Sequence, residues 1–311
     1  MKMEERTVLK GNIFNMERCA IYDGPGVRTV LFLKGCQLRC RWCSTPQSHN
    51  LQVEVGYYSS KCARCAKCLT TCPLHAIRID NEKRILTDTC ICNNCAKCVE
   101  ICPTGARALI GREVTVDEVM EEIGKDAIFY WNSGGGVTLS GGEPLLQPAF
   151  SREILRRCQD QFIHTTMETS GYADWDIFRS LLEYVDLLYL DIKHMSPNEH
   201  EKLTGRRNDQ ILENALRVSK EYEEIELIVR IPVVPGRNDS EKNILETVAF
   251  TRRLRGVQKI ELLPYHKLGI TNYEVLLMNY TLEDLEPPSG KYMLYLKQLI
   301  ESNGLEAQIG G

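Results

Sequence analysis

The chain has 311 residues, 43% hydrophobic and 26% charged, with a formal net charge of −4. That balance suits a globular chain with a substantial core and offers no bulk attraction to nucleic acid or anionic lipid. The first twenty residues lack the apolar centre of a signal peptide, and no apolar run nears the ~18 residues of a membrane span, so a cytoplasmic protein with no nucleic-acid or membrane partner is expected.

The turn Asp23-Gly24-Pro25-Gly26 leads into a first predicted strand, VRTVLFLKG (27–35), and then a loop with Cys36, Cys40 and Cys43. Next comes a repeat, C-x2-C-x2-C-x3-C-P, begun at Cys62 and again at Cys92. Between the copies, IRIDNEKRILTDT reads as two short strands around an Asp-Asn turn. Residues 54–111 thus read as a small insertion in a larger unit made of 1–53 and 112–311.

The larger unit alternates strands and helices. TVDEVMEEIGKD carries a capping box, Thr115 with Glu118. Predicted strands follow at GGVTLSGGEP (135–144), FIHTTMETSG (162–171), DLLYLDIKH (186–194), IELIVRIPVV (225–234) and VQKIELLPYH (257–266). Between and after them, SPNEHEKLTG, NDQILENALRVSKEY, SEKNILETVAFTRRLRG (ending at Gly256) and SGKYMLYLKQLIESNG (ending near Gly304) read as helices. Several strands are continuously apolar, as parallel strands covered on both faces are. Six such units predict an α/β fold with a parallel sheet; periodicity leaves a partial barrel and a doubly wound sheet both open. Either places functional residues where strands stop, and GGEP, METS, DIK, VRIPVVPG and PYH all stand there.

Fourteen cysteines in such a chain point to metal binding or catalysis rather than disulfides, and all but Cys158 lie between residues 19 and 102. The repeat is similar to bacterial two-cluster ferredoxins, in which the fourth cysteine of each run ligates the other cluster. That similarity assigns Cys62, Cys65, Cys68 and Cys102 to one [4Fe–4S] cluster, and Cys92, Cys95, Cys98 and Cys72 to a second. The competing reading is a pair of zinc knuckles. Cys90 is a spare, best read as an inert small side chain, and Cys19 and Cys158 have no assigned role. Cys36, Cys40 and Cys43 lack a fourth partner. Three thiolates on a four-iron cluster would leave one iron open to a small chelator, while a three-ligand zinc site or unrelated cysteines is the plainer alternative.

The C-x3-C-x-aromatic-C loop after a first strand resembles radical S-adenosylmethionine enzymes. YDGPGVRTVLFLKGCQLRCRWCSTPQS, GGGVTLSGGEPLLQ, METSGY, LYLDIKH, RIPVVPGRND and ELLPYHKLG together resemble the glycyl radical enzyme activating enzymes, from about residue 11 to 275. Thr45 and Gln47 depart from the Asn and Glu of many relatives, and Glu168 stands where the pyruvate formate-lyase activating type has Asp. The resemblance implies a partial (β/α)6 barrel of the TIM type with an α+β ferredoxin-like insert. It implies three [4Fe–4S] clusters, S-adenosylmethionine, and a monovalent cation. Its implied partners are a glycyl radical enzyme and a flavodoxin or ferredoxin-type electron donor.

By the same resemblance, the segment Gly141, Gly142, Glu143 meets the amino group of S-adenosylmethionine, Lys193 its carboxylate, and His266 its adenosine part. Arg230 is a further contact. Trp42 would stack near the adenine. Asp191 and Glu168, with the carbonyls of Thr169 and Tyr189, would hold the cation. Asp23 would hold the backbone of a partner's glycine loop. From the residues alone, Asp191 and Lys193 could equally be an internal pair, Arg230 an ion pair with a neighbouring strand, and the glycines an ordinary turn. The leading expectation is an activating enzyme that cleaves S-adenosylmethionine reductively and takes hydrogen from a partner's backbone glycine. The alternatives are a radical enzyme acting on a small metabolite or peptide, and a ferredoxin-like electron carrier.

Overall fold

The computed structural model describes residues 8–81, 84–257 and 259–310. Its strands, in chain order, are β1 (Lys10–Ala20), β2 (Arg28–Leu33), β3 (Glu54–Tyr57), β4 (Ile77–Ile79), β5 (Ile85–Thr87), β6 (Arg107–Ile110), β7 (Arg112–Thr115), β8 (Gly136–Gly141), β9 (His164–Thr169), β10 (Leu187–Asp191), β11 (Glu226–Val233), β12 (Lys259–Pro264) and β13 (Glu306–Ile309). One nine-stranded sheet runs in the order β13-β12-β11-β10-β9-β8-β2-β1-β7, and its two ends are not hydrogen-bonded neighbours. The six predicted parallel strands form its centre, each paired in parallel with the next.

Their apolar runs explain that placement. In β8 every residue from Gly136 to Ser140 is buried, and in β10 every residue from Leu187 to Leu190. Helices cover one face of the sheet. The helix Val116–Gly124 starts with the expected capping box and buries Val119 and Ile123 against the core. Pro148–Asp160 packs on it and on Trp175–Leu182 through Phe150, Ile154, Leu155 and Phe178. Each such side chain taken from water contributes about 1.5–3 kcal/mol before conformational entropy is subtracted.

Five strands were not predicted: β1, β3, β6, β7 and β13. β1 is polar and interrupted by bulges, with Cys19 at φ 59°, so it shows no clean alternation. It forms because β2 and β7 pair it on both sides, antiparallel. β13 follows the last helix and adds to β12 in parallel. One helix end also differs from expectation. The helix begun at Glu241 stops at Thr251, not Gly256, and passes into turns in which Arg253 and Leu254 donate to the carbonyls of Phe250 and Thr251. The last helix spans Gly290–Glu301, ending near Gly304.

Residues 54–110 leave the main sheet after β2 and return just before β7. β3 pairs with β6 and β4 with β5, both antiparallel. The sequence repeat is also a conformational repeat. Arg64 and Asn94, then Ala66 and Ala96, all take positive φ, and short helices follow at Lys67–Thr71 and Lys97–Glu100. Non-glycine residues hold that conformation only when the surroundings demand it. Here it curls each cysteine run around a small space.

Candidate active site

The carboxyl ends of the parallel strands open on a cleft of about 700 Å³. Cys36, Cys40 and Cys43 form one wall. Their loop is pinned along its length: the amides of Arg39 and Arg41 donate to the carbonyls of Thr204 and Leu203 at 2.6 and 3.0 Å. The Tyr273 hydroxyl donates to the Cys43 carbonyl at 3.0 Å, and Asn272 Nδ2 to that of Ser44 at 3.1 Å. Burial pushes all three thiols up, Cys40 to about 12, and neighbouring sulfurs raise Cys36 and Cys40 further. Such a triad becomes ionised only around a positive inorganic centre, which is the chemistry three thiolates offer a cluster. Trp42 stands beside them, packed on the wall of Tyr265, Tyr273 and Tyr280.

Gly141 and Gly142 form the second wall. Gly141 has φ +92°, and a Cβ on Gly142 would overlap the Gly35 carbonyl oxygen. The Gly142 amide donates to the Leu33 carbonyl and the Glu143 amide to that of Gly35, clamping this loop to the start of the cysteine loop. Glu143 is 1% exposed. Its carboxylate accepts from the Thr169 and Ser170 hydroxyls at 2.5 and 2.6 Å, and from the Ser170 amide at 3.0 Å. Expected as part of a ligand-binding segment, it is engaged in tying the end of β8 to the end of β9.

The third wall is charged. Register places Arg230 opposite Asp191 on one side and Glu261 on the other. Its Nη1 donates to Glu168 at 2.5 Å and its Nε to Glu261 at 2.9 Å, while its guanidinium lies 3.3 Å from the centre of the Tyr189 ring. The ion-pair reading of Arg230 is therefore realised, yet its buried Nη2 has no partner among the described residues and the residue still lines the cleft. Lys193 donates to Asp191 at 2.6 Å, the internal pair, and both line the cleft. Burial would lower the Lys193 ammonium, but Asp191 and the cysteine thiolates outweigh it and raise it. Both Glu168 oxygens have donors, Arg230 and Ser140.

At the rim, Asp23 is half-buried and its carboxyl is raised to about 6, by burial first and by Glu168 second. His266 is exposed, and its Nδ1 accepts from the Leu268 amide. Every candidate of the larger unit lines this one cleft except Tyr189, which lies behind Arg230.

Three participants escaped the sequence reading. Glu261 was the signal overlooked: a carboxylate inside KIELL is as costly as an arginine inside IVRIPVV, and each explains the other. Tyr273 and His49 gave no signal at all, while Ser140 opens the SGGEP segment already singled out. His49 is 8% exposed, lines the cleft, and has no partner among the described residues for either ring nitrogen.

The 54–110 segment encloses two small cavities. One is lined by Cys62, Cys65, Cys68 and Cys102, the other by Cys92, Cys95, Cys98 and Cys72. Each set draws its fourth sulfur from the other run. Environments repeat as well: Cys68 and Cys98 are buried, Cys65 and Cys95 exposed. Burial raises the Cys68 and Cys98 thiols, and Arg107 is the largest opposing influence on both. Among the described residues no three His, Cys, Asp or Glu side chains are disposed to hold a single metal ion. Cys90 is exposed and lines neither cavity, Cys19 is exposed at a bulge, and Cys158 is buried in the core of the main unit.

A mostly parallel α/β sheet, with a three-cysteine loop after its first parallel strand facing a charged cleft, defines a radical S-adenosylmethionine protein, and the model of the Radical SAM superfamily matches residues 30–248. The isethionate sulfite-lyase activating enzyme of Nitratidesulfovibrio vulgaris is 40% identical over 302 residues, covering 96% of this chain and 95% of the relative. The (2S)-3-sulfopropanediol dehydratase activating enzyme of Klebsiella oxytoca is 40% identical over 309 residues, covering 96% and 97%. The trans-4-hydroxy-L-proline dehydratase activating enzyme of Clostridioides difficile is 38% identical over 302 residues, covering 96% and 99%. The chain belongs to the radical S-adenosylmethionine superfamily and, within it, to the enzymes that activate glycyl radical enzymes. The family implies a [4Fe–4S] cluster, S-adenosylmethionine and a glycyl radical enzyme as partner. No helix among the described residues is long and apolar enough to cross a membrane.

Proposed function

We propose that this chain activates its partner by generating a radical on a backbone glycine, with Cys36, Cys40 and Cys43 as the three protein ligands of the cluster. When bound, the cluster and S-adenosylmethionine supply a one-electron cleavage to methionine and a 5′-deoxyadenosyl radical, which takes hydrogen from the glycine. The chain's own residues bind, orient and exclude water. Lys193, held protonated, meets the methionyl carboxylate, and Arg230 offers its buried Nη2. Gly141 and Gly142 let the ligand approach the backbone, with Glu143 fixing the wall behind it. Trp42 and His266 serve the adenosine side, and Asp23 holds the partner's glycine loop at the rim. Asp191, with the carbonyls of Thr169 and Tyr189, takes the larger share of a monovalent cation, because both Glu168 oxygens already have donors.

We read residues 54–111 as a ferredoxin-like insert with two further [4Fe–4S] clusters, interrupting a partial barrel of 1–53 and 112–311. The crossed cysteine sets of its two cavities support that reading. Its electrons would come from a cytoplasmic flavodoxin or ferredoxin-type donor.

One observation carries the function: the three-cysteine loop, Lys193 and Arg230 line the same cleft. Anaerobically reconstituted protein with dithionite and S-adenosylmethionine should release 5′-deoxyadenosine, and Cys40→Ala should abolish it. Undiminished release from Cys40→Ala would overturn the assignment. The partner's chemistry is open, since relatives of near-equal identity are named for three different enzymes.

A further inference from the structure

Arg107 begins β6 and is 2% exposed. It lines both cysteine cavities of the 54–110 segment. Its strand neighbour Tyr57 presents a ring 4.5 Å from the guanidinium, and its Nη1 donates to the Thr87 hydroxyl at 2.7 Å. Its Nε and Nη2 are buried without a partner, and no carboxylate among the described residues pairs with it. Its own amide points at Cys102 Sγ, 3.4 Å away. A guanidinium buried without a counter-ion is expensive unless an anion is brought to it. The anions at hand are the thiolates of the two cavities.

We propose that Arg107 is the shared counter-ion of the two clusters in this segment, a positioning residue that raises the reduction potential of both. The proposal rests on the reading that the segment holds two [4Fe–4S] clusters. Each cluster, with four thiolates, takes one electron from a low-potential donor. Its core goes from 2+ to 1+ and its net charge from −2 to −3, with no bond made or broken. A cation in contact stabilises the more negative form, and hydrogen bonds to the cluster sulfurs act in the same direction. Because one side chain touches both cavities, one substitution should move both potentials together.

The test uses the full chain, anaerobically reconstituted, in a dithionite-poised, mediator-equilibrated redox titration followed by electron paramagnetic resonance, with iron counted per chain. Arg107→Gln should shift both insert signals to lower potential by at least the equivalent of a tenfold change in the reduction equilibrium, about 59 mV for one electron. The signal that responds to S-adenosylmethionine should not move. Arg107→Lys keeps the charge and should shift both less. If Arg107→Gln fails to retain the insert clusters and Arg107→Lys retains them, the counter-ion role is equally supported. Wild-type potentials in Arg107→Gln, a shift of one signal alone, or loss of clusters in both variants would overturn it. Wild-type protein with only about four irons would instead remove the two-cluster reading beneath it.

Discussion

The Glu143 carboxylate accepts two hydrogen bonds from Ser170, one from its amide at 3.0 Å and one from its hydroxyl at 2.6 Å. This contact closes the gap between β8 and β9 at the mouth of the cleft. Glu143→Ala leaves four buried donors, on Ser170, Thr169 and Leu145, without this acceptor. Each unsatisfied buried donor costs about 1–3 kcal/mol. We expect a loss of about 3 kcal/mol in chemical denaturation and weaker S-adenosylmethionine binding by calorimetry. Unchanged stability would show that the wall does not depend on this residue.

Gly142 and Gly105 separate two costs of adding a methyl group. Gly105 has φ +67° with open space around it, so Gly105→Ala pays strain alone, about 1 kcal/mol. A Cβ on Gly142 strikes the Gly35 backbone, which leads into Cys36. Gly142→Ala should cost more than 2 kcal/mol and lower 5′-deoxyadenosine release, because backbone cannot yield as a side chain can. Thermal unfolding and activity assays of the pair check the contrast.

Lys34 is fully buried at the end of β2, and burial lowers its ammonium. It donates to the Gln47 carbonyl at 2.6 Å and to Glu54 at 3.2 Å, joining the cysteine loop to the first strand of the inserted segment. Lys34→Met strands that carbonyl and leaves Glu54 without its cation, held only by the Asn50 side-chain amide, a change expected to cost about 2–4 kcal/mol. Hydrogen exchange should accelerate across residues 46–56 while the centre of the sheet stays protected.

Asp23 gives a pH dependence with a definite sign. Its folded carboxyl is raised to about 6 from the ordinary 3.8, by burial first. A raised carboxyl stabilises below the unfolded value and loses that contribution as pH climbs through the folded value. Asp23→Asn should therefore match the parent near pH 3.5, gain on it between about pH 4 and 6, and hold a constant advantage of about 1–3 kcal/mol above that. Urea titrations across pH 4–8 would show it. An advantage that shrinks as pH rises contradicts the assignment.

The crossed cysteine sets give a genetic test. Cys72 lines the cavity of the second run and Cys102 that of the first. Cys72→Ala and Cys92→Ala should therefore lose the same magnetic resonance signal, and Cys102→Ala and Cys62→Ala the other. Signals sorted by run, with Cys72 grouped with Cys62, would mean that each run closes on itself.

Much of this site can be read along the chain. Cysteine spacing is a covalent property, and an apolar run marks a buried strand whatever it pairs with. The six central strands and both cysteine groups were therefore visible locally. β1 was not, because its polar, bulged sequence becomes a strand only when β2 and β7 flank it. Arg230 was visible as an anomaly in an apolar run, but its partners were not: Glu168 and Glu261 come from strands far away in the chain.

The sequence by itself determined the sulfur chemistry and the strand ends that carry polar groups. Tertiary structure decided which charges neutralise one another, which glycines face backbone, and that Arg107 stands between two cysteine sets with no carboxylate of the described residues paired to it. The reason is register. A side chain's neighbours across a sheet depend on how separately coded strands align, and no single stretch of sequence contains that alignment.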